Sequence, residues 1–181
     1  MVYNPRITIR LTIIYIIIIN TFSTIINQIT SLSYIDAITN MLKQEGKSLS
    51  KAKVVLTDYV WESLNIEKEI LGALADLVPL QVTNPEAFFP EAEDCEALLN
   101  TYGGPITSDI MARMPNCKII SRYGIGVDTI DLAAATEAGI IVTNNPTYCI
   151  EEVAEHTLAM LLTCARKISF YDRLVRKGEW A

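Results

Sequence analysis

Lys118-Ile-Ile-Ser-Arg-Tyr-Gly-Ile-Gly-Val-Asp-Thr-Ile-Asp131 joins an apolar run directly to a turn carrying two glycines. Lys118 to Ser121 reads as a buried strand, and Gly124 and Gly126 fall where that strand ends. Glycine has no Cβ, so bare backbone amides can approach a ligand closely. Two outward N–H groups make a concavity suited to a carboxylate or phosphate. The spacing is Gly-x-Gly-x-Asp, not Gly-x-Gly-x-x-Gly. A dinucleotide fingerprint uses its third glycine for close helix–strand packing, so the loop reads as one for a small anion rather than a cofactor phosphate. An ordinary tight turn has the same spacing, and the stretch alone leaves both readings open.

Outward from this stretch, short apolar strands alternate with helical patterns. Lys53–Tyr59, Val78–Val82, Ala97–Thr101, Lys118–Ser121 and Ile140–Thr143 read as strands, with Pro79 placing the second at a sheet edge. Ile66, Ile70, Leu71, Leu74 and Leu77 recur at helical spacing, with Asn65 as the expected N-cap and Glu67 and Glu69 in the first turn. Pro85–Glu93 reads as a weak helix after the turn Thr83-Asn84. Another helix starts at Thr107-Ser108 and must stop near Pro115. Asp131 caps a helix through Ala138 that Gly139 ends. Five strands separated by helices predict an α/β fold, a doubly wound parallel sheet with helices on both faces. Ligands of such sheets bind beyond the carboxyl ends of the strands. That rule gathers Asp58-Tyr59, Thr101–Gly104, Arg122–Gly126 and Asn144-Asn145-Pro146 on one rim.

Composition narrows the classes. The 181 residues suit one domain with appendages, and roughly 130 suffice for a proper core. A net charge of −6 argues against a nucleic-acid surface, which needs clustered Lys and Arg. Cys95, Cys117, Cys149 and Cys164 have wide spacings without Cys-x-x-Cys, and His156 is the sole histidine, so no zinc site is expected. Reduced thiols fit such a chain better than disulfides.

The first 52 residues read as an Ile-rich extension outside the fold, and Met41 is a plausible start. Ile13–Ile19 follows Arg6 and Arg10, but a membrane span wants about 20 mostly apolar residues. Residues 11–29 reach that length only through Thr12, Asn20, Thr21, Ser23 and Thr24. A membrane anchor there and a signal peptide without a clear cleavage site are the competing readings. At the other end, Val153, Thr157, Leu158, Leu161, Leu162, Ala165 and Ile168 form one stripe, predicting a single long helix with Glu151, Glu152 and Glu155 at its start. Arg166, Lys167, Arg173 and Arg176 fall toward its end.

Ser121–Asp131, Gly139-Ile-Ile-Val-Thr-Asn-Asn-Pro146 and Val153-Ala-Glu-His-Thr157, in that order, resemble the D-isomer-specific 2-hydroxyacid dehydrogenases, nearest the phosphoglycerate dehydrogenase and C-terminal-binding-protein-like branches. The likeness runs from about Lys53 to Trp180. It implies a flavodoxin-like substrate domain over residues 53–149, with residues 150–181 leading toward a Rossmann domain and NAD in the cleft between. It implies interconversion of a D-2-hydroxy acid and its 2-oxo acid, a cytoplasmic location, and a homodimer in the full-length form. By resemblance, Gly124, Ile125 and Gly126 offer backbone N–H groups to the substrate carboxylate, and Ile125 also borders the nicotinamide. Thr101 and Tyr102 flank the substrate, and Tyr148 and Cys149 lie on another loop of the cleft. Arg122 and Asp128 are expected to brace the loop, and Thr129 stands where asparagine is usual. The family's NAD-binding glycines, its substrate-gripping arginine and its Glu–His pair follow later in the chain and have no counterpart here. The expectation is therefore a substrate-domain part without catalytic residues, inactive alone. Glu155-His156 is not that pair, because neighbouring helix residues do not face each other; His156 is read as structural. A non-enzymatic flavodoxin-like binding module is the alternative.

Overall fold

The computed structural model describes residues 51–72 and 74–180. The Ile-rich tract and Met41 lie outside the described residues. Two compact units make up the chain, one ending at Pro146 and the other beginning at Thr147.

The first unit alternates strand and helix: β1 (Ala52–Leu56), α1 (Asn65–Leu71), β2 (Ala75–Pro79), α2 (Pro85–Ala92), β3 (Ala97–Asn100), α3 (Ser108–Ala112), β4 (Ile119–Arg122), α4 (Leu132–Ala138) and β5 (Ile141–Thr143). The strands form one parallel sheet in the order β2-β1-β3-β4-β5. This is the flavodoxin-like order, whose switch point lies between β1 and β3. The α/β class and the doubly wound sheet expected above are what the chain adopts.

Side chains alternate across each strand, so one short run serves two cores. Val54, Leu56, Ala97, Leu99 and Ile119 face Leu64, Ile70 and Leu71 from the first helical segment. Val55, Leu98 and Ile120 face the other way, onto Phe88, Ala92, Ile110, Met111, Met114 and Ala135. Strands covered on both faces must be apolar at consecutive positions, which is why Val54-Val55-Leu56 and Ala97-Leu98-Leu99 lack a polar–apolar alternation. Asp131 caps α4 by accepting from the Ala134 N–H at 2.9 Å, and Gly139 ends it at φ 69°, a conformation that favours glycine.

Three local expectations need correction. Asn65 is not the N-cap of α1. It is the first helical residue, and its N–H donates to Ser63 Oγ at 3.2 Å. Leu77 is not on that helix, which ends at Leu71; the chain is already in β2 by Ala75. β2 accordingly begins three residues earlier than Val78, because Ala52 pairs with Ala75 and Leu56 with Pro79. β2 is an edge strand as expected, and the pairing shows why proline is tolerated there. The Leu80 N–H donates to Leu56 O at 2.8 Å, so the alternate position, Pro79, faces away from β1 and lacks no ladder bond.

The second unit holds α5 (Ile150–Ala165) and α6 (Ile168–Arg176). The single long helix expected here is broken. Lys167 sits at φ 53°, ψ 36°, left-handed for a residue with a side chain, and no glycine or proline marks the spot. Its N–H donates to Cys164 O at 3.2 Å to close α5, and its carbonyl accepts from Phe170 and Tyr171 N–H at 3.0 and 3.1 Å to open α6. No residue of α5 is buried. Among the described residues, no helix is long and apolar enough to cross a membrane, and no group of His, Cys, Asp and Glu is placed to hold a metal ion. The four cysteines are free thiols.

Candidate functional site

The carboxyl ends of β1, β3 and β4 lead into three loops, which are fixed by side chains from neighbouring segments. Asp58, just past β1, is buried. Its carboxylate accepts from the backbone N–H groups of Thr101, Tyr102 and Gly103 at 3.2, 2.8 and 3.0 Å, and from Thr57 Oγ1 at 2.7 Å. Its carbonyl accepts from Thr101 Oγ1 at 2.8 Å. The loop after β3 is thus wrapped around a buried anion supplied by the protein itself.

The loop after β4 is held through its carbonyls. Gly124 O accepts from the Asn145 N–H at 3.0 Å, Ile125 O from Asn144 Nδ2 at 2.6 Å, and Gly126 O from Arg122 Nη1. The three N–H groups of Gly124, Ile125 and Gly126 have no acceptor among the described residues. Three consecutive carbonyls tied down and three amides left bare is the arrangement an incoming anion requires. A Cβ at Gly126 would stand 2.6 Å from Asp128 Oδ1, so a side chain there would have to displace the Asp128 carboxylate. Ile125, between the glycines, is 41% exposed despite its apolar side chain.

Below the loop, Tyr123 reaches down to α1. Its hydroxyl donates to Glu67 Oε1 at 3.2 Å, and its ring lies 4.6 Å from that of Trp61. Burial, then the charge and hydrogen bond of Glu67, push the Tyr123 phenol well above its ordinary value. An unfolded tyrosine ionises near pH 10. The folded phenol resists ionising, so its contribution to stability is complete below about pH 10 and is lost as pH rises above it. The unfolding free energy from urea titrations should therefore fall between pH 9.5 and 11, by up to about 1.4 kcal/mol per pH unit for one such group. Tyr123→Phe should flatten that part of the slope. Parallel slopes for the two proteins would show that the phenol is not held this way.

The structure brings Thr101, Tyr102, Gly124, Ile125 and Gly126 to this rim, but not with equal roles. Thr101 is buried and engaged with Asp58, whereas the Tyr102 side chain is 62% exposed. Cys149 belongs to the second unit, half-buried at the N-cap position of α5, with its carbonyl accepting from Val153 N–H. Glu155 and His156 are exposed neighbours on α5. Sequence reasoning placed Asp58, Asn144 and Asn145 on the rim but did not find their work as clamps. Glu67 it assigned to a helix terminus, not to a buried acceptor.

The model of the D-isomer specific 2-hydroxyacid dehydrogenase catalytic domain matches residues 54–174. A glyoxylate reductase of Korarchaeum cryptofilum is 38% identical over 88 residues, 49% of this chain and 26% of that one. A D-3-phosphoglycerate dehydrogenase of Methanocaldococcus jannaschii is 33% identical over 128 residues, 71% of this chain and 24% of its own length. The chain thus spans about a quarter of these curated relatives. Among solved structures, D-lactate dehydrogenase from Aquifex aeolicus, complexed with NAD and lactic acid, superposes with a TM-score of 0.63 at 29% identity, over 71% of this chain and 38% of that one.

Proposed function

The chain belongs to the D-isomer specific 2-hydroxyacid dehydrogenase family, and from that premise we propose that its first unit holds the acid in an NAD-dependent oxidoreductase acting on D-2-hydroxy acids and their 2-oxo counterparts. The observation that carries this reading is the run of bare amides at Gly124, Ile125 and Gly126 in a loop whose carbonyls are held by Asn144, Asn145 and Arg122. Backbone N–H groups so fixed receive a carboxylate without reorganising, which is how a site orients a small acid before reaction. Thr101 and Tyr102 border the acid from the next loop, and Cys149 is assigned to its surroundings by family likeness.

NAD, when bound, supplies the hydride acceptor or donor for the carbon bearing the hydroxyl. The residues present do not fit a whole dinucleotide, since the 181 residues contain no Gly-x-Gly-x-x-Gly. They fit one edge of it: Ile125 offers an exposed apolar surface beside the amides. The two charged groups that hold the loops, Asp58 and Arg122, are engaged in doing so. This chain's own part is therefore binding and orienting the acid. We assign it to a cytoplasmic enzyme that works as a homodimer in its full-length form, and we expect the 181-residue chain to be inactive alone.

The test has two arms on the pure chain. In an NMR titration with glyoxylate or D-lactate, the amide signals of Gly124, Ile125 and Gly126 should move, and those of the sheet should not. A spectrophotometric assay with NADH and glyoxylate should show no steady oxidation. Unmoved loop signals at saturating acid would sink the carboxylate reading, and steady turnover would sink the expectation of inactivity. The alternative, a non-enzymatic binding module, draws on α5, which buries no residue and where Val153, Leu158, Met160 and Leu161 are each more than half exposed. It expects no response of the glycine loop to either acid.

A further inference from the structure

We propose that Arg122 is a positioning residue of the anion loop, a clasp that joins it to the loop after β3; the ligand arm of this inference rests on the carboxylate reading above. The guanidinium sits between the two loops. Its Nε donates to Thr101 O at 3.2 Å, and its Nη1 donates to Gly126 O. Thr101 is the residue whose N–H and hydroxyl are held by Asp58, so the chain of contacts runs from β1 through the β3 loop to the glycine loop. One planar cation with donors in a fixed fork satisfies two carbonyls on different segments in a set geometry; an ammonium has three donors, but they radiate from a single point and set no such span.

The same group supplies charge. The Arg122 side chain is only 12% exposed, and its acidic neighbour Asp128, 3.5 Å away, is 83% exposed. An exposed carboxylate can swing into solvent, whereas the sheltered guanidinium stays tied between the two loops. Its positive charge therefore lies against the glycine loop, where it favours an anion. Arg122 thus fixes the Gly126–Val127 peptide and biases the loop electrostatically without needing to touch the acid.

The experiment compares the full chain with Arg122→Met and Arg122→Lys in two measurements. The first needs no ligand: hydrogen exchange at the Tyr102, Gly103 and Asn145 amides, whose acceptors are Asp58 and Gly124. Arg122→Met should speed exchange at all three together while the amides of β1 and β3 keep their protection. Arg122→Lys should give an intermediate effect. The second is the glyoxylate titration, in which Arg122→Met should weaken the loop response by about tenfold, the size expected for one charge-assisted contact. Unchanged exchange at both loops overturns the clasp. Faster exchange with wild-type affinity leaves Arg122 a structural brace and overturns its positioning role. If the unsubstituted chain ignores glyoxylate, the carboxylate reading and the ligand arm fall together, and the exchange result still decides whether the loops are coupled. Should Arg122→Met fail to fold, the lysine variant decides both measurements.

Discussion

Replacing Asp58 with alanine is expected to cost the first unit roughly 3–5 kcal/mol of stability, the range for stripping a buried charged acceptor from several donors. The carboxylate is buried and satisfies the N–H groups of Thr101, Tyr102 and Gly103 together with the Thr57 hydroxyl. Alanine removes every one of those acceptors and leaves the N–H donors of buried Thr101 and Gly103 without a partner. Because β1 and β3 are central neighbours in the sheet, the damage falls at the switch point and not at a frayed edge. For a domain of this size the melting temperature should drop by roughly 15–25 °C. Asp58→Asn should fall between the two proteins, since its amide keeps one acceptor oxygen and places a donor against backbone N–H groups. Thermal and urea unfolding measure this directly. A loss below about 1 kcal/mol would mean that the loop finds other acceptors, and that the brace is incidental.

What could be read beforehand divides along physical lines. The central strands were legible because two-sided burial forces consecutive apolar residues, as in Val54-Val55-Leu56. β2 was misplaced by three residues because Leu74-Ala-Asp-Leu-Val78 satisfies a helical and an extended pattern equally. Its register is set by pairing with Ala52, which local spacing does not encode. The break at Lys167 was invisible, since the left-handed residue is neither glycine nor asparagine. The glycine loop was legible for the opposite reason: Gly124 and Gly126 mark a backbone that must come close to something. Its clamps were not. Asp58 meets Tyr102 across 44 positions of chain, and Asn144 meets Ile125 across 19, distances at which only the folded sheet brings them together.

Gly126→Val should separate binding from folding most sharply. A Cβ at this position would lie 2.6 Å from Asp128 Oδ1 and 3.4 Å from Arg122 Nη1, the atom that holds the Gly126 carbonyl. Asp128 is exposed and can swing away, so the clash need not unfold anything. The guanidinium cannot, because it is sheltered and tied to Thr101. The Gly126 backbone must therefore shift, and its own N–H, on the peptide it shares with Ile125, moves out of line with those of Gly124 and Ile125. Valine's branched side chain also crowds the space an acid would enter. Affinity for glyoxylate should fall at least tenfold, about 1.4 kcal/mol or more, while the melting temperature moves by only a few degrees because the loop lies outside both cores. Gly124→Ala is the matched control: its added Cβ would meet nothing closer than Arg122 Nε at 3.6 Å, ordinary contact, and binding should survive. Equal loss in both variants would point to general loop damage, and wild-type binding by Gly126→Val would remove the amides of this turn from the site.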